Sequence, residues 1–328
     1  MKLKLGTRGS DLARTQSGWV AAQLAEAGVE VELVIISTSG DRSTAASFGS
    51  IGPQGVFVRE IEQALSAREI DLAVHSYKDL PTQSPAGLVV AAVPPRRDVA
   101  DWLLYRRDEK RRQTSSAGIT ETDQTPFSEG QRAVTLELPL PAGARVGTAS
   151  ARRQAWLKLF GPELNVNSLR GNVPTRLKKL VNGDFDAILL AGAGVERLTE
   201  ASDLLDDSLS KVERLRLDPL KFVPAPAQGA LAVQCRADDN AICEALATID
   251  HAGTHAAVEI ERAALALAEG GCDSAFGAYA RANDGGFELA VMTERDGQIL
   301  AAEVHGDTNA SLAAHAMDQL SSVSGGAA

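Results

Sequence analysis

Within its first hundred residues the chain alternates short apolar runs with amphipathic stretches, and that alternation restricts the fold more than any other feature. Residues 2–5 read as a strand ending in the turn Gly6-Thr-Arg-Gly-Ser10. Ser10 and Asp11 are N-cap candidates for a helix reaching about Ala27 and closed by Gly28. Residues 29–37 form a second strand, followed by a polar loop over 38–55. Phe57, Ile61 and Leu65 recur every four residues, which predicts an amphipathic helix over 56–68. The run 71–76 (DLAVHS) is a short buried strand that opens into Tyr77-Lys78-Asp79-Leu80-Pro81-Thr82, and 88–93 is another, stopped by Pro94-Pro95. This β-α-β-α-β order predicts a parallel sheet with helices on both faces.

Residues 101–107 (DWLLYRR) read as a strand crossing into a second unit. Residues 108–132 are charged and Ser/Thr-rich without a period, as in a surface insertion. Strand and helix then alternate again: 145–148, 150–160, 165–170, a helix with Pro174 in its first turn, and a strand over 185–190. The segment 224–229 (PAPAQG) is a linker ahead of a strand over 230–235. A long helix over 251–269 ends at Gly270-Gly271-Cys272. Runs 275–280, 287–293 and 298–304 predict a small antiparallel sheet, followed by a helix over 311–320 and a frayed end from 322. The expected fold class is α/β: two similar doubly wound α/β domains plus a small α+β C-terminal domain. Ligands of open α/β sheets bind beyond the carboxyl ends of the strands, where Arg8, Asp79, Arg152 and Arg170 fall.

Charge points the same way. The chain carries 33 Lys and Arg against 43 Asp and Glu. Yet residues 145–179 hold eight basic residues and a single acid, Glu163. Such focusing attracts anions, and guanidinium pairs with carboxylate or phosphate through two parallel hydrogen bonds. A solvated basic face is the bland alternative, weakened because these charges lie at turns rather than along one helix stripe. The overall acidity argues against general nucleic-acid binding. MKLKLGTRGS has no apolar core behind its lysines and no spanning apolar run follows, so neither secretion nor membrane insertion is expected. Three cysteines without a CxxC give no disulfide framework, and a reducing cytoplasm is the expected home.

Asp79 reads either as a carboxylate aimed into a cleft or as a turn-capping residue. Cys272, behind two glycines, is either an accessible thiol or a buried inert one, the reading given to Cys235 and Cys243. Gly192-Ala-Gly194 follows a strand but lacks the rest of a dinucleotide fingerprint, and no Walker sequence occurs. His251, His255 and Glu259 share a helix face but lack the zincin pattern, so no metal is expected.

Six stretches in order resemble the porphobilinogen deaminase (hydroxymethylbilane synthase) family: LGTRGSDLA (5–13), HSYKDLPT (75–82), VGTASARRQ (146–154), SLRGNVPTRL (168–177), PAPAQGALAVQCR (224–236) and EGGCDSAFGAYA (269–280). The family commonly has Lys where Gln54 and Arg59 stand, Leu at Ala151 and Gly at Ala227. The resemblance implies three domains: 1–98 with 229–248, then 99–228, then 249–328. It implies that Cys272 carries a covalent dipyrromethane cofactor, that Asp79 is the catalytic carboxylate, and that Lys78, Ser10, Thr148, Ser150, Arg152 and Arg153 bind the cofactor. Arg8, Arg170, Arg176 and Arg197 would bind substrate. The implied activity is stepwise condensation of four porphobilinogen molecules with loss of ammonia, by a monomer needing no metal, nucleic acid or membrane. Two other classes compete: a two-lobed solute-binding or sensing module for a small dianion, and a phosphate-backbone binder using the 145–179 patch.

Overall fold

The computed structural model describes residues 1–36, 58–106, 136–269, 275–306 and 309–324. Its first elements are β1 (Lys2–Thr7), α1 (Asp11–Glu26), β2 (Glu30–Ile35), α2 (Arg59–Ser66), β3 (Leu72–Ser76) and β4 (Leu88–Ala92). The chain then crosses to β5 (Asp101–Arg106), β6 (Arg145–Gly147), α3 (Ala151–Phe160), β7 (Asn165–Asn167), α4 (Val173–Val181), β8 (Ala187–Ala191), α5 (Gly192–Ala201), α6 (Asp206–Leu209) and β9 (Val212–Arg216). It returns as β10 (Leu231–Arg236) and α7 (Asn240–Ala247), and ends with α8 (Ala252–Glu269), β11 (Phe276–Asn283), β12 (Gly286–Arg295), β13 (Gln298–Gly306) and α9 (Asn309–Ser324).

Local chemistry sets these boundaries. Ser10 Oγ accepts from the Ala13 amide and Val20 and Leu24 bury one face of α1, while Gly28, at φ 81°, turns the chain out of the helix. Asn172 caps α4 by accepting from the Thr175 amide, with Pro174 in the first turn. All six residues of β10 are buried, Gln234 and Arg236 included, so the strand does not alternate between buried and exposed faces.

Two five-stranded sheets share one topology, β2-β1-β3-β10-β4 and β7-β6-β8-β5-β9. The expectation of parallel sheets is corrected by the fourth strand of each. β10 runs antiparallel to β3 and β4, and β5 antiparallel to β8 and β9. Both are entered directly from a crossing between the lobes, with no helix to turn the chain back, so their direction is reversed. The consequence is positional: a reversed strand begins where its parallel neighbours end. Asp101 pairs with Ala191, the last residue of β8, and Leu231 with Ser76, the last of β3.

β11, β12 and β13 form the antiparallel sheet the sequence predicts. One face packs on α8 and α9 through Leu289, Val291, Ile260 and Leu312, the other on Trp156 and Phe222 of the second lobe through Ala290 and Met292. Elements that go beyond the sequence reading are α5, α6, β9, α7 and the continuation of α9 to Ser324. The 108–132 insertion and Gln54 lie outside the described residues. No helix among the described residues is long and apolar enough to cross a membrane.

Glu261 joins the third unit to both crossings. Its fully buried carboxylate takes both Arg96 guanidinium nitrogens, at 2.7 and 2.9 Å, and the Ala227 and Ala280 amides, at 2.6 and 2.8 Å. That bond holds Ala227 at φ 62°, a conformation glycine adopts more easily. Glu261→Ala strands a buried guanidinium and two amides, so unfolding by urea is expected to show a loss of about 3–5 kcal/mol.

Candidate functional site

The expected site residues come from loops at the carboxyl ends of the parallel strands. Arg8 follows β1 and is half-buried, and Ser10 caps α1 beside it. Thr148 follows β6; its Oγ1 accepts from the Ser150 amide at 3.2 Å, and Ser150 Oγ accepts from the Arg153 amide at 3.4 Å. This double cap fixes the first turn of α3, and Arg152 and Arg153 point inward from it, each only 6% exposed. Lys78 and Asp79 lie in the single 3-10 turn after β3, Lys78 half-buried and Asp79 exposed.

What gathers several of these groups is a residue the sequence reading passed over. Asp101 is fully buried at the start of β5. Arg153 donates to its Oδ1 through Nε at 3.1 Å and a terminal nitrogen at 2.6 Å, and Arg152 lies 2.8 Å from Oδ2. Gln228 Nε2 donates to the same Oδ1 at 2.9 Å, while Gln228 Oε1 accepts from Lys78 Nζ at 3.3 Å. Each arginine is also anchored to a carbonyl, Arg152 to Val223 and Arg153 to Leu189. Burial alone would raise the Asp101 pKa, but Arg152 and Arg153 outweigh it and hold the carboxyl well below the usual range. Burial pushes the Lys78 ammonium down to about 8, against the pull of Asp79. Arg176 donates to Gly171 O at 2.7 Å, and burial together with Arg153 lowers its pKa. Arg170 is exposed in the same β7–α4 loop.

Three cations thus surround one buried carboxylate, leaving positive charge for an anionic ligand in a place with little competing water. Asp79 adds an exposed carboxylate at the rim.

Other residues fall elsewhere. Arg197, on α5, is 8% exposed and donates to Gly229 O at 2.8 Å, next in sequence to the Gln228 that bonds Asp101. Cys272 and the two glycines before it lie outside the described residues. Cys235 and Cys243 have their sulfurs 3.6 Å apart, and burial pushes the Cys235 thiol up to about 12, an unreactive state. His251 accepts from the Thr254 amide at the start of α8, and His255 contacts Asp250 and Glu259.

Comparison with known proteins gives one family. Residues 3–244 match the family described as porphobilinogen deaminase, dipyromethane cofactor binding domain. A porphobilinogen deaminase of Streptococcus sanguinis is 39% identical over 324 residues, 97% of this chain and 95% of the relative. One from Mycobacterium bovis is 41% identical over 297 residues, 90% and 82% of the two chains. A looser match is the solved periplasmic VFT2 domain of BvgS from Bordetella pertussis, with a TM-score of 0.40 and 13% identity over 76% of this chain and 86% of its own. With the family model spanning most of its length and such relatives nearly all of it, this chain belongs to the porphobilinogen deaminase family.

Proposed function

We propose that this chain is a transferase that condenses four porphobilinogen molecules into hydroxymethylbilane, releasing ammonia, in tetrapyrrole biosynthesis. The observation that carries the reading is the Lys78, Arg152, Arg153 and Asp101 group. Its cations outnumber its carboxylate, its two arginines are almost fully buried, and the group stands at the ends of interior strands of both sheets. That donor set fits a dipyrromethane, whose acetate and propionate arms need several fixed cations. The cofactor is proposed to be held as a thioether by Cys272, with Lys78, Ser10, Thr148, Ser150, Arg152 and Arg153 meeting its side chains. When bound, it supplies a pyrrole with a free α-carbon from which the chain grows.

Each porphobilinogen brings two carboxylates to Arg8, Arg170, Arg176 and Arg197. Its C–N bond breaks, the nitrogen leaves as ammonia, and the methylene carbon becomes cationic with charge delocalised onto the ring nitrogen. Asp79 faces that charge and lowers the barrier by electrostatic stabilisation. A C–C bond then forms to the free α-carbon, which gives up one proton. Release after four cycles would need the bond between the cofactor's α-carbon and the first added methylene to break, a proton to return to that α-carbon, and water to add to the methylene cation so formed with loss of its proton, so that hydroxymethylbilane leaves. The enzyme is proposed to act as a monomer in the cytoplasm.

The test is an intact-protein mass. Active wild type should exceed its polypeptide mass by one dipyrromethane, and Cys272→Ser should match the bare polypeptide, because a serine hydroxyl stays protonated at neutral pH. Active wild type with no added mass would overturn the covalent assignment.

A pH dependence follows from Lys78. Below about 8 it is an ammonium and holds a carboxylate; above, it is neutral in the folded protein and that hold is lost. Attachment of the cofactor to apoprotein incubated with porphobilinogen, followed by mass, should slow between pH 8 and 10 in wild type relative to Lys78→Arg, whose guanidinium keeps its charge.

A further inference from the structure

Two thiols stand in contact in the first lobe, at the end of β10 that points away from the Asp101 group. Cys235 is fully buried on β10 and Cys243 half-buried on α7, eight positions on, with the two sulfurs 3.6 Å apart. Cys235 is level with Leu72, the first residue of β3. Leu231 is level with Ser76, the last residue before the turn that carries Lys78 and Asp79. The intervening stretch of strand separates the sulfurs from that turn by roughly 13 Å.

The two thiols differ in access. Cys235 sits between Leu72 and Val89 of the neighbouring strands, and burial, then the neighbouring Cys243, pushes its thiol up to about 12. Cys243 lies partly at the surface, its thiol directed to Arg236 O at 3.8 Å. An incoming reagent therefore meets Cys243 first, with Cys235 waiting behind it at contact distance.

Closing the gap to a disulfide needs the sulfurs to approach by about 1.6 Å. The element that has to move is small. α7 is only eight residues long, starts at the Asp239 cap directly after a turn, and rests on the sheet through Ile242 and Leu246. A rotation of the half-buried Cys243 side chain and a slight shift of this helix share the movement.

We propose that Cys235 and Cys243 form a redox site that closes into an intramolecular disulfide by exchange with a small-molecule disulfide. The Cys243 thiolate attacks one sulfur of glutathione disulfide. That S–S bond breaks, and one glutathione leaves as a thiolate and takes up the proton that Cys243 released. The Cys235 sulfur then attacks Cys243 Sγ, loses its own proton and expels the second glutathione, which accepts that proton. Two protein thiols are oxidised and one small disulfide is reduced to two thiols. Contact between the sulfurs offsets the low thiolate fraction of Cys235, because the second step is intramolecular. The product closes the short loop 235–243 and ties α7 to β10. The assignment does not depend on the proposed reaction.

The experiment exposes the full chain, purified with whatever cofactor it carries, to glutathione disulfide, then alkylates free thiols and maps tryptic peptides. Cleavage after Arg236 separates the two cysteines, so the disulfide is read as residues 222–236 joined to 237–262. Wild type should give this linked pair as the main product, reversed by dithiothreitol. The linked protein should unfold at higher urea than the reduced one and turn over porphobilinogen at the same rate. Cys235→Ala should stop at a glutathione mixed disulfide on Cys243, and Cys243→Ser should keep Cys235 unmodified while folded. If Cys235→Ala fails to fold, Cys243→Ser, at a half-buried position, decides together with wild type. Both thiols recovered free, a lasting mixed disulfide on Cys243 in wild type, or linkage that appears only in urea would each overturn the proposal. An unraised urea midpoint in the linked protein would overturn the tie between α7 and β10, and turnover lost on linkage its separation from the Asp101 group.

Discussion

Asp79→Asn is expected to leave a folded, cofactor-loaded protein whose kcat has fallen by roughly two to four powers of ten. The substitution keeps the shape and one acceptor but removes the negative charge beside the developing cation. If that charge supplies about 3–5 kcal/mol in the transition state, the rate loss follows directly. KM should change little, since the arginines and not Asp79 meet the substrate carboxylates. Asp79→Glu retains the charge one methylene further out and should keep part of the activity. A turn-capping role makes the opposite prediction, because Asn caps about as well as Asp. The structure bears on this choice: among the described residues no backbone amide donates to the exposed Asp79 carboxylate, so there is no cap for the side chain to supply. Steady-state kinetics of both variants, with melting curves alongside, decide it, and a fully active Asp79→Asn would sink the catalytic assignment.

Much of the architecture is legible in the sequence because it is written in short-range chemistry. The N-caps at Ser10 and Ser150, Pro174 in the first turn of α4 and the apolar run of 71–76 are each decided within about four residues. The three antiparallel strands at the end of the chain are legible from their alternation and the turns between them. The direction of β5 and β10 is not. A buried strand looks the same from either end, and only the path of the crossings shows that these two enter reversed. α7 is hard to read because its short apolar sequence, NAICEALA, follows a strand and a tight turn without a clear break. Asp101 was missed for a different reason. As a polar residue opening an apolar run it reads as a strand boundary, whereas its partners stand 51, 52 and 127 positions away at Arg152, Arg153 and Gln228. The motif stretches supplied those partners without showing what they converge on. Cys272 is legible only through its motif, and it lies outside the described residues.

That convergence changes what removing the arginine pair should do. On sequence alone, replacing Arg152 and Arg153 by leucine looks like the loss of two carboxylate donors from an otherwise intact protein. In the structure the same change leaves Asp101 in a fully buried position with Gln228 as its remaining polar partner. In wild type the arginines hold the Asp101 pKa below its unfolded value, so the carboxylate contributes stability above about pH 4 that is lost as the pH falls through the folded value. In the double variant the sign inverts. Uncompensated burial raises the folded pKa above the unfolded one, and the folded state must hold a proton that the unfolded state has released. Keeping that proton at pH 7 costs about 4 kcal/mol, and the cost shrinks by about 1.4 kcal/mol for each unit of acidification down to pH 4. R152L/R153L should therefore be strongly destabilised at pH 7 and regain much of the loss by pH 5. Adding Asp101→Leu removes the charge that needs neutralising, so the triple variant should be more stable than the double at pH 7 and lose this pH slope. Both should fail to acquire a dipyrromethane by intact mass, because the cations that would hold its carboxylates during attachment are gone in each. Urea unfolding of the two variants at pH 5 and pH 7 separates stability from loading. A double variant as stable as wild type at pH 7 would show that Asp101 does not depend on the arginines, and a loaded, active triple variant would remove the arginine pair from the cofactor site.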